Sequence, residues 1–151
     1  MAAIEAEFLF DINMRILPDA QPIGKIAQGS RVIAYVKGTF AGPKLKGTVE
    51  NGADWFMLRP DGIGDVDVRL TLKTDAGEYI YMHYTGFADI PKAAADAAPL
   101  GQLPSGNFPL RTAVRFETAS ARHTRLNCTQ AVGIGAVDTV AGTVDYKIYA
   151  L

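Results

Sequence analysis

The sequence predicts an all-β protein: a single antiparallel β-barrel of about eight strands, with a long Pro/Ala-rich lid loop able to hold a short helix. Three observations carry that expectation. Alternation of apolar and polar residues with period two recurs throughout the 151 residues, whereas apolar residues at helical spacing are hard to find over any useful length. Turn signals such as Gly42-Pro43, Pro60-Asp61-Gly62 and Asp75-Ala76-Gly77 interrupt the alternation at short intervals. A sheet of that many strands also exposes edges unless it closes on itself.

The elements follow in order. Ile4, Ala6, Phe8, Phe10 and Ile12 alternate with Glu5, Glu7 and Asp11, giving a first strand with a wet outer face. Residues 13–29, with Pro18, Pro22, Gly24 and Gly29, suggest a crossing loop. Arg31 to Phe40 forms the next strand, and Gly42-Pro43 turns the chain into Leu45–Val49. After Gly52 comes a three-strand run, Ala53 to Tyr84. Residues 86–109 are framed by Pro91, Pro99, Pro104 and Pro109 around an alanine-rich piece, Lys92 to Ala98, that can form two helical turns. So long a connection in a compact domain suits a lid over one barrel mouth, the alternative being a surface loop without function. Thr112 to Thr118, Cys128–Val137 and Val140–Leu151 supply the closing strands.

The bulk numbers narrow the function classes. A chain of this length suits one domain, residues 1–151, burying about 70% of the surface its unfolded form exposes. Lys and Arg total 15 against 16 Asp and Glu, with no block of like charge, which argues against nucleic acid as a partner. No apolar run approaches the roughly 20 residues of a membrane helix, and Met1-Ala2-Ala3-Ile4-Glu5 lacks a basic signal start, so no membrane partner and a cytoplasmic location are expected. Cys128 is the single cysteine, which excludes an intrachain disulfide; a small apolar packing role is expected for it. His83 and His123 are forty residues apart with no ligand spacing around them, so no metal and no cofactor are expected, and His123 among arginines suits an exposed loop. Gly133-Ile134-Gly135 lacks the third glycine and the helix of a dinucleotide site.

The run from Ala53 to Tyr84 carries the chemistry. Treating Asp61-Gly62 as a two-residue turn makes Pro60 face Ile63 and puts Asp54 opposite Arg69. Treating Asp75-Ala76-Gly77 as a three-residue loop makes Thr74 face Glu78 and puts Arg69 opposite His83. Asp54, Arg69 and His83 then form one cross-strand row, flanked by a row of Phe56, Asp67 and Thr85 and a row of Gly52, Thr71 and Tyr81. Within a pocket, Asp54 would be the base or charge partner, Arg69 its orienter or an oxyanion stabiliser, His83 the proton carrier and Tyr81 a hydrogen-bond donor. Phe56 beside these polar groups gives the mixed lining of a small-molecule site. Periodicity alone favours a solvated outer face for this row, because Trp55, Met57, Val66, Val68, Leu70, Leu72, Ile80 and Met82, the more obvious core, lie on the other one. If the row faces inward, the aliphatic face needs cover from another subunit, so a homodimer or higher homo-oligomer is expected with it.

Gly38-Thr39-Phe40-Ala41-Gly42-Pro43-Lys44-Leu45-Lys46-Gly47, Gly52-Ala53-Asp54-Trp55, Arg59-Pro60-Asp61-Gly62, Asp67 to Gly77, Arg115-Phe116-Glu117-Thr118 and Leu126-Asn127 resemble the domain-of-unknown-function 3237 family of small bacterial and fungal proteins. The resemblance spans most of residues 38–150. It implies a lipocalin-like or allene-oxide-cyclase-like barrel, dimeric or higher, and says little about chemistry. The family pattern falls on Asp54, Trp55, Asp67, Arg69 and Glu117. The expected function is therefore a cofactor-independent isomerase, cyclase or lyase acting on a small, partly aromatic or polyketide-like molecule in the barrel. Asp54, Arg69 and His83 would be catalytic, with Phe56, Asp67, Tyr81, Trp55, Glu117 and Asn127 binding the substrate. The alternatives are a non-catalytic small-molecule binding barrel and an assembly module with a wet sheet face.

Overall fold

The alternation does build strands, and what closes them into a barrel is the sharing of one long strand between two neighbours. The computed structural model describes residues 2–99 and 102–151. Its strands are β1 (Glu7–Ile16), β2 (Gln21–Ile26), β3 (Gly29–Ala41), β4 (Lys46–Leu58), β5 (Gly64–Thr74), β6 (Tyr79–Ala88), β7 (Asn107–Glu117), β8 (Ala131–Asp138) and β9 (Thr143–Ala150), with one short helix, α1 (Lys92–Ala97). The order is β1-β9-β8-β7-β6-β5-β4-β3-β2, and β1 also pairs with the C-terminal half of β3. Eight antiparallel strands thus form a closed barrel, and β2 is an extra strand on the N-terminal half of β3.

Two boundaries differ from expectation. Residues 13–29 are not one crossing loop: Met14 and Ile16 continue the alternation of Phe10 and Ile12, so β1 runs on to Ile16, and Gln21–Ile26 pairs with β3. Leu45–Val49 and the strand after Gly52 are one element, β4. A register irregularity between Val49 and Asn51 absorbs the break, and a Cβ at Gly52 would lie 2.3 Å from the Leu70 side chain.

The core is the barrel interior. Val66, Val68, Leu70 and Leu72 of β5 and Ile80, Met82 and Tyr84 of β6 all point inward and are buried. One half of the interior is filled solid: Phe10 meets Phe40 and Phe116 edge-on at centroid distances of 5.3 and 6.1 Å, with Val49, Leu72, Ile80 and Leu126 in the same core. The other half remains partly open.

The lid segment does contain a short helix, α1, whose Ala95 is buried and lies near Gly62 of the β4–β5 turn. Ile90, Leu103 and Pro104 from this segment line the open half of the barrel. Thr139, between β8 and β9, clips it down, donating through Oγ1 to Pro104 O at 2.6 Å and accepting from Gly106 N–H at 2.9 Å. Leu100 and Gly101 of the loop lie outside the described residues.

Residues 121–128 form 3₁₀ turns kinked at His123. Two expectations are corrected there. Cys128 is exposed rather than packed, with its thiol donating to Arg125 O. His123 is no exposed loop residue: its side chain is only 11% exposed, tucked beside Glu78, which also accepts a hydrogen bond from the Ser120 hydroxyl.

Candidate functional site

The site depends on how the first hairpin closes. Arg59 N–H donates to Ile63 O and Gly62 N–H to Arg59 O, both at 2.9 Å, with Gly62 at φ +88°. This is a three-residue loop over 60–62, not the expected two-residue turn. The cause is covalent: Pro60 has no N–H to close a pair with Ile63, whereas Arg59 has one, and Pro is favoured as the first residue inside the loop. The second hairpin closes as expected, with Thr74 N–H to Glu78 O and Gly77 at φ +85°.

That one-residue difference moves Asp54 to the other face of the sheet. Ala53, not Asp54, lies opposite Arg69, and Asp54 pairs with Val68. Arg69 does lie opposite His83, and Thr71 opposite Tyr81, but these side chains point out of the barrel while Asp54 and Phe56 point in. The three-residue row is therefore divided by the wall, and the aliphatic face that called for cover by a second subunit lies in the lumen.

The inner half of the site is a chamber with about 50 Å³ reachable by the centre of a water molecule, within about 610 Å³ of atom-free space that includes its mouth. Apolar side chains from β1, β3, β5, β7 and the lid segment dominate its lining, and Asp54 is the one ionisable carboxylate or base among the lining residues. Asp54 is half-buried and lines the chamber. The β4–β5 ladder lapses between the Asp54/Val68 and Met57/Asp65 pairs, and the Asp67 N–H within the gap donates to Asp54 Oδ1 at 3.0 Å. Removal from water pushes the Asp54 carboxyl up from 3.8 to about 7; the Asp67 N–H bond opposes this, the Asp67 charge adds to it, and the Arg31 charge opposes it.

Tyr84 and Tyr146 complete the polar part of the chamber. Their rings meet edge-on at 5.3 Å and 65°. Burial first, together with the proximity of Asp54, holds both phenols well above their usual value, so both remain O–H donors. Tyr146 lies against β8 because β8 is glycine there: a Cβ at Gly135 would come within 2.6 Å of its ring. The Gly133-Ile134-Gly135 stretch thus makes room for a phenol. Neither tyrosine figured in the expected site, although each carries a readable signal, a hydroxyl inside a core-phase series: Ile80, Met82, Tyr84 and Val144, Tyr146, Ile148.

The outer half forms a separate polar cluster. His83 Nε2 lies 2.9 Å from Asp67 Oδ1, where it donates, and Arg69 Nη2 is 3.7 Å from Asp67 Oδ2. The Arg69 guanidinium stacks over Trp55 at 4.9 Å, and the Tyr81 and His83 rings lie 6.4 Å apart. Glu117 is exposed opposite Tyr81 on β7. Asn127 is a clip between the ends of the 118–127 loop, accepting from Thr118 N–H at 2.8 Å and donating to Thr118 O at 2.9 Å. Of the residues expected to touch substrate, only Asp54 and Phe56 line the chamber. Among the described residues no three His, Cys, Asp or Glu side chains converge as metal ligands, and no helix is long and apolar enough to cross a membrane.

The chain has relatives and structural neighbours along most of this fold. A UPF0311 protein of Clostridium acetobutylicum is 28% identical over 95 residues, a match that covers 62% of this chain and 60% of the relative. A crystal structure of a β-barrel-like protein from Acinetobacter baumannii AYE superposes with a TM-score of 0.82 at 29% identity, covering 99% of this chain and 97% of that one. A crystal structure described as an enzyme from Penicillium herquei has a TM-score of 0.68 at 24% identity, covering 96% and 93%, a likeness of fold. The model of the family described as "Protein of unknown function (DUF3237)" matches residues 4–151, and the chain belongs to that family.

Proposed function

We propose that this protein is a cofactor-independent acid/base enzyme of the isomerase, cyclase or lyase type, acting on a small, partly aromatic or polyketide-like molecule held in the barrel chamber. The observation that carries this reading is one hydrogen-bond-oriented carboxyl, Asp54, set in an apolar chamber beside two phenols. A carboxyl raised to about 7 exists in both protonation states near neutral pH, so it can take a proton from carbon in one step and return it in the next. The Tyr84 and Tyr146 hydroxyls would donate to the oxygen on which charge develops. The reading departs from the expected roles, since Arg69 and His83 face away from the chamber and would not touch the substrate.

A second reading, a non-catalytic binding barrel, is favoured by the nearly unbroken apolar lining, which suits retention of a ligand without chemistry. Deuterium exchange separates the two. Small enolisable aryl ketones are incubated with the protein in D₂O and followed by proton NMR; enzymatic loss of the α-proton signal that disappears in Asp54→Asn is the expected result. Saturable binding with no exchange above the buffer rate overturns the enzyme reading and leaves the carrier.

A further inference from the structure

Asp67 makes contacts in both halves of the divided row. Its main-chain N–H is spent on Asp54 through the gap in the β4–β5 ladder, at 3.0 Å. Its side chain leaves on the opposite side of the wall, where Oδ1 accepts from His83 at 2.9 Å and Oδ2 lies 3.7 Å from Arg69. The two contacts belong to one strand residue, whose amide lies in the plane of the sheet while its side chain leaves from one face.

We propose that Asp67 is a positioning residue for Asp54, orienting the inner carboxyl with its amide and biasing that carboxyl's charge state with a side chain held outside the barrel between His83 and Arg69. This rests on Asp54 being the working acid. The groups around Asp54 leave few competitors. Arg31 on β3 is the cation whose charge acts on it, while Tyr84 on β6 and Tyr146 on β9 remain neutral donors, and the lid contributes only apolar residues. Around Asp67 stand Trp55 on β4, Arg69 on its own strand, Thr85 and His83 on β6, and Arg115 opposite His83 on β7. The ionised Asp67 side chain disfavours a second negative charge across the wall, which keeps Asp54 protonated to higher pH. A positive charge placed beside Asp67 offsets its charge and releases part of that bias, so a charge on the outer surface reaches the inner acid without any group moving. The sequence pattern of alternating faces makes such coupling easy to miss, since the two carboxyls never share a side.

The test reads Asp54 directly. The side-chain carboxyl carbons of ¹³C-aspartate-labelled protein are titrated by NMR, with the Asp54 resonance assigned by its loss in Asp54→Asn. The wild-type midpoint is expected at about 7. Asp67→Asn retains the amide and the shape but not the charge, and is expected to lower that midpoint by roughly 0.5–1 unit, less than the 1–3 units of a charge in direct contact. His83→Lys, on the same outer row, is expected to lower it too by placing a fixed positive charge beside Asp67, and it carries the test alone if Asp67→Asn does not fold. A midpoint near 7 that both folded variants leave in place overturns the proposal while leaving Asp54 as the acid. A wild-type midpoint in the ordinary carboxylate range overturns the acid assignment itself.

Discussion

Asp54 and Asp67 are the same residue type, on adjacent strands, joined by one hydrogen bond, and they live in different solvents. Asp54 faces a largely apolar chamber whose burial pushes its carboxyl up to about 7; Asp67 faces water and is paired with an imidazole and a guanidinium. Chemistry did not separate them, since nothing in an aspartate prefers one side. The parity of each position against its strand's apolar residues did, and the wall between them is a single layer of backbone.

Cavities test that contrast most forcefully. Leu72 faces inward on β5 and is fully buried, so Leu72→Ala is expected to destabilise the barrel by about 2–5 kcal/mol in urea unfolding. Arg69→Ala, on the outer side of the same strand, loses a stacked cation–π contact and is expected to stay within about 1 kcal/mol. Similar losses at both sites would mean that the faces are wrongly assigned.

The next effect is one of pH. Asp54 binds a proton in the folded protein up to about pH 7, whereas the unfolded chain releases it near 3.8. Between those values the folded state holds more protons, so this group's contribution to stability declines as pH rises and is fully unfavourable above the folded value. Asp54→Asn removes that penalty. The stability of Asp54→Asn relative to wild type is expected to grow by about 2–4 kcal/mol from pH 4 to pH 8, measured by paired melting curves; a difference that stays flat would put Asp54 in water. The smallest effect belongs to the outer pair. His83 and Asp67 keep about a third of their side-chain area exposed, and a double-mutant cycle with His83→Gln and Asp67→Asn is expected to return a coupling of about 0.2–1 kcal/mol. A larger value would make the outer cluster a structural anchor.

Much of this was legible beforehand and the rest failed for reasons that can be named. The barrel followed from alternation, as in β5, where Val66, Val68, Leu70 and Leu72 face inward without exception. The Thr74–Glu78 loop was legible because its glycine sits where a left-handed residue is required. The Arg59–Ile63 loop has the same hydrogen-bond pattern, but its Asp-Gly pair imitates a shorter turn, and only the missing amide of Pro60 reveals the longer one. One residue of loop length then decided which aspartate met the chamber. Tyr84 and Tyr146 passed for core residues because their rings do pack as core, and a hydroxyl adds nothing to a hydrophobic pattern.

The extra strand has a consequence of its own. Closing the barrel leaves β2 as an edge among the described residues, and its backbone is poorly suited to recruit another chain. Pro22 has no amide to donate, the pairing with β3 slips between Pro22 and Gly24, and Lys25 is exposed on the rim. The edge that β2 presents therefore discourages extension, which helps to guard a protein made almost wholly of β-structure against growing into fibres.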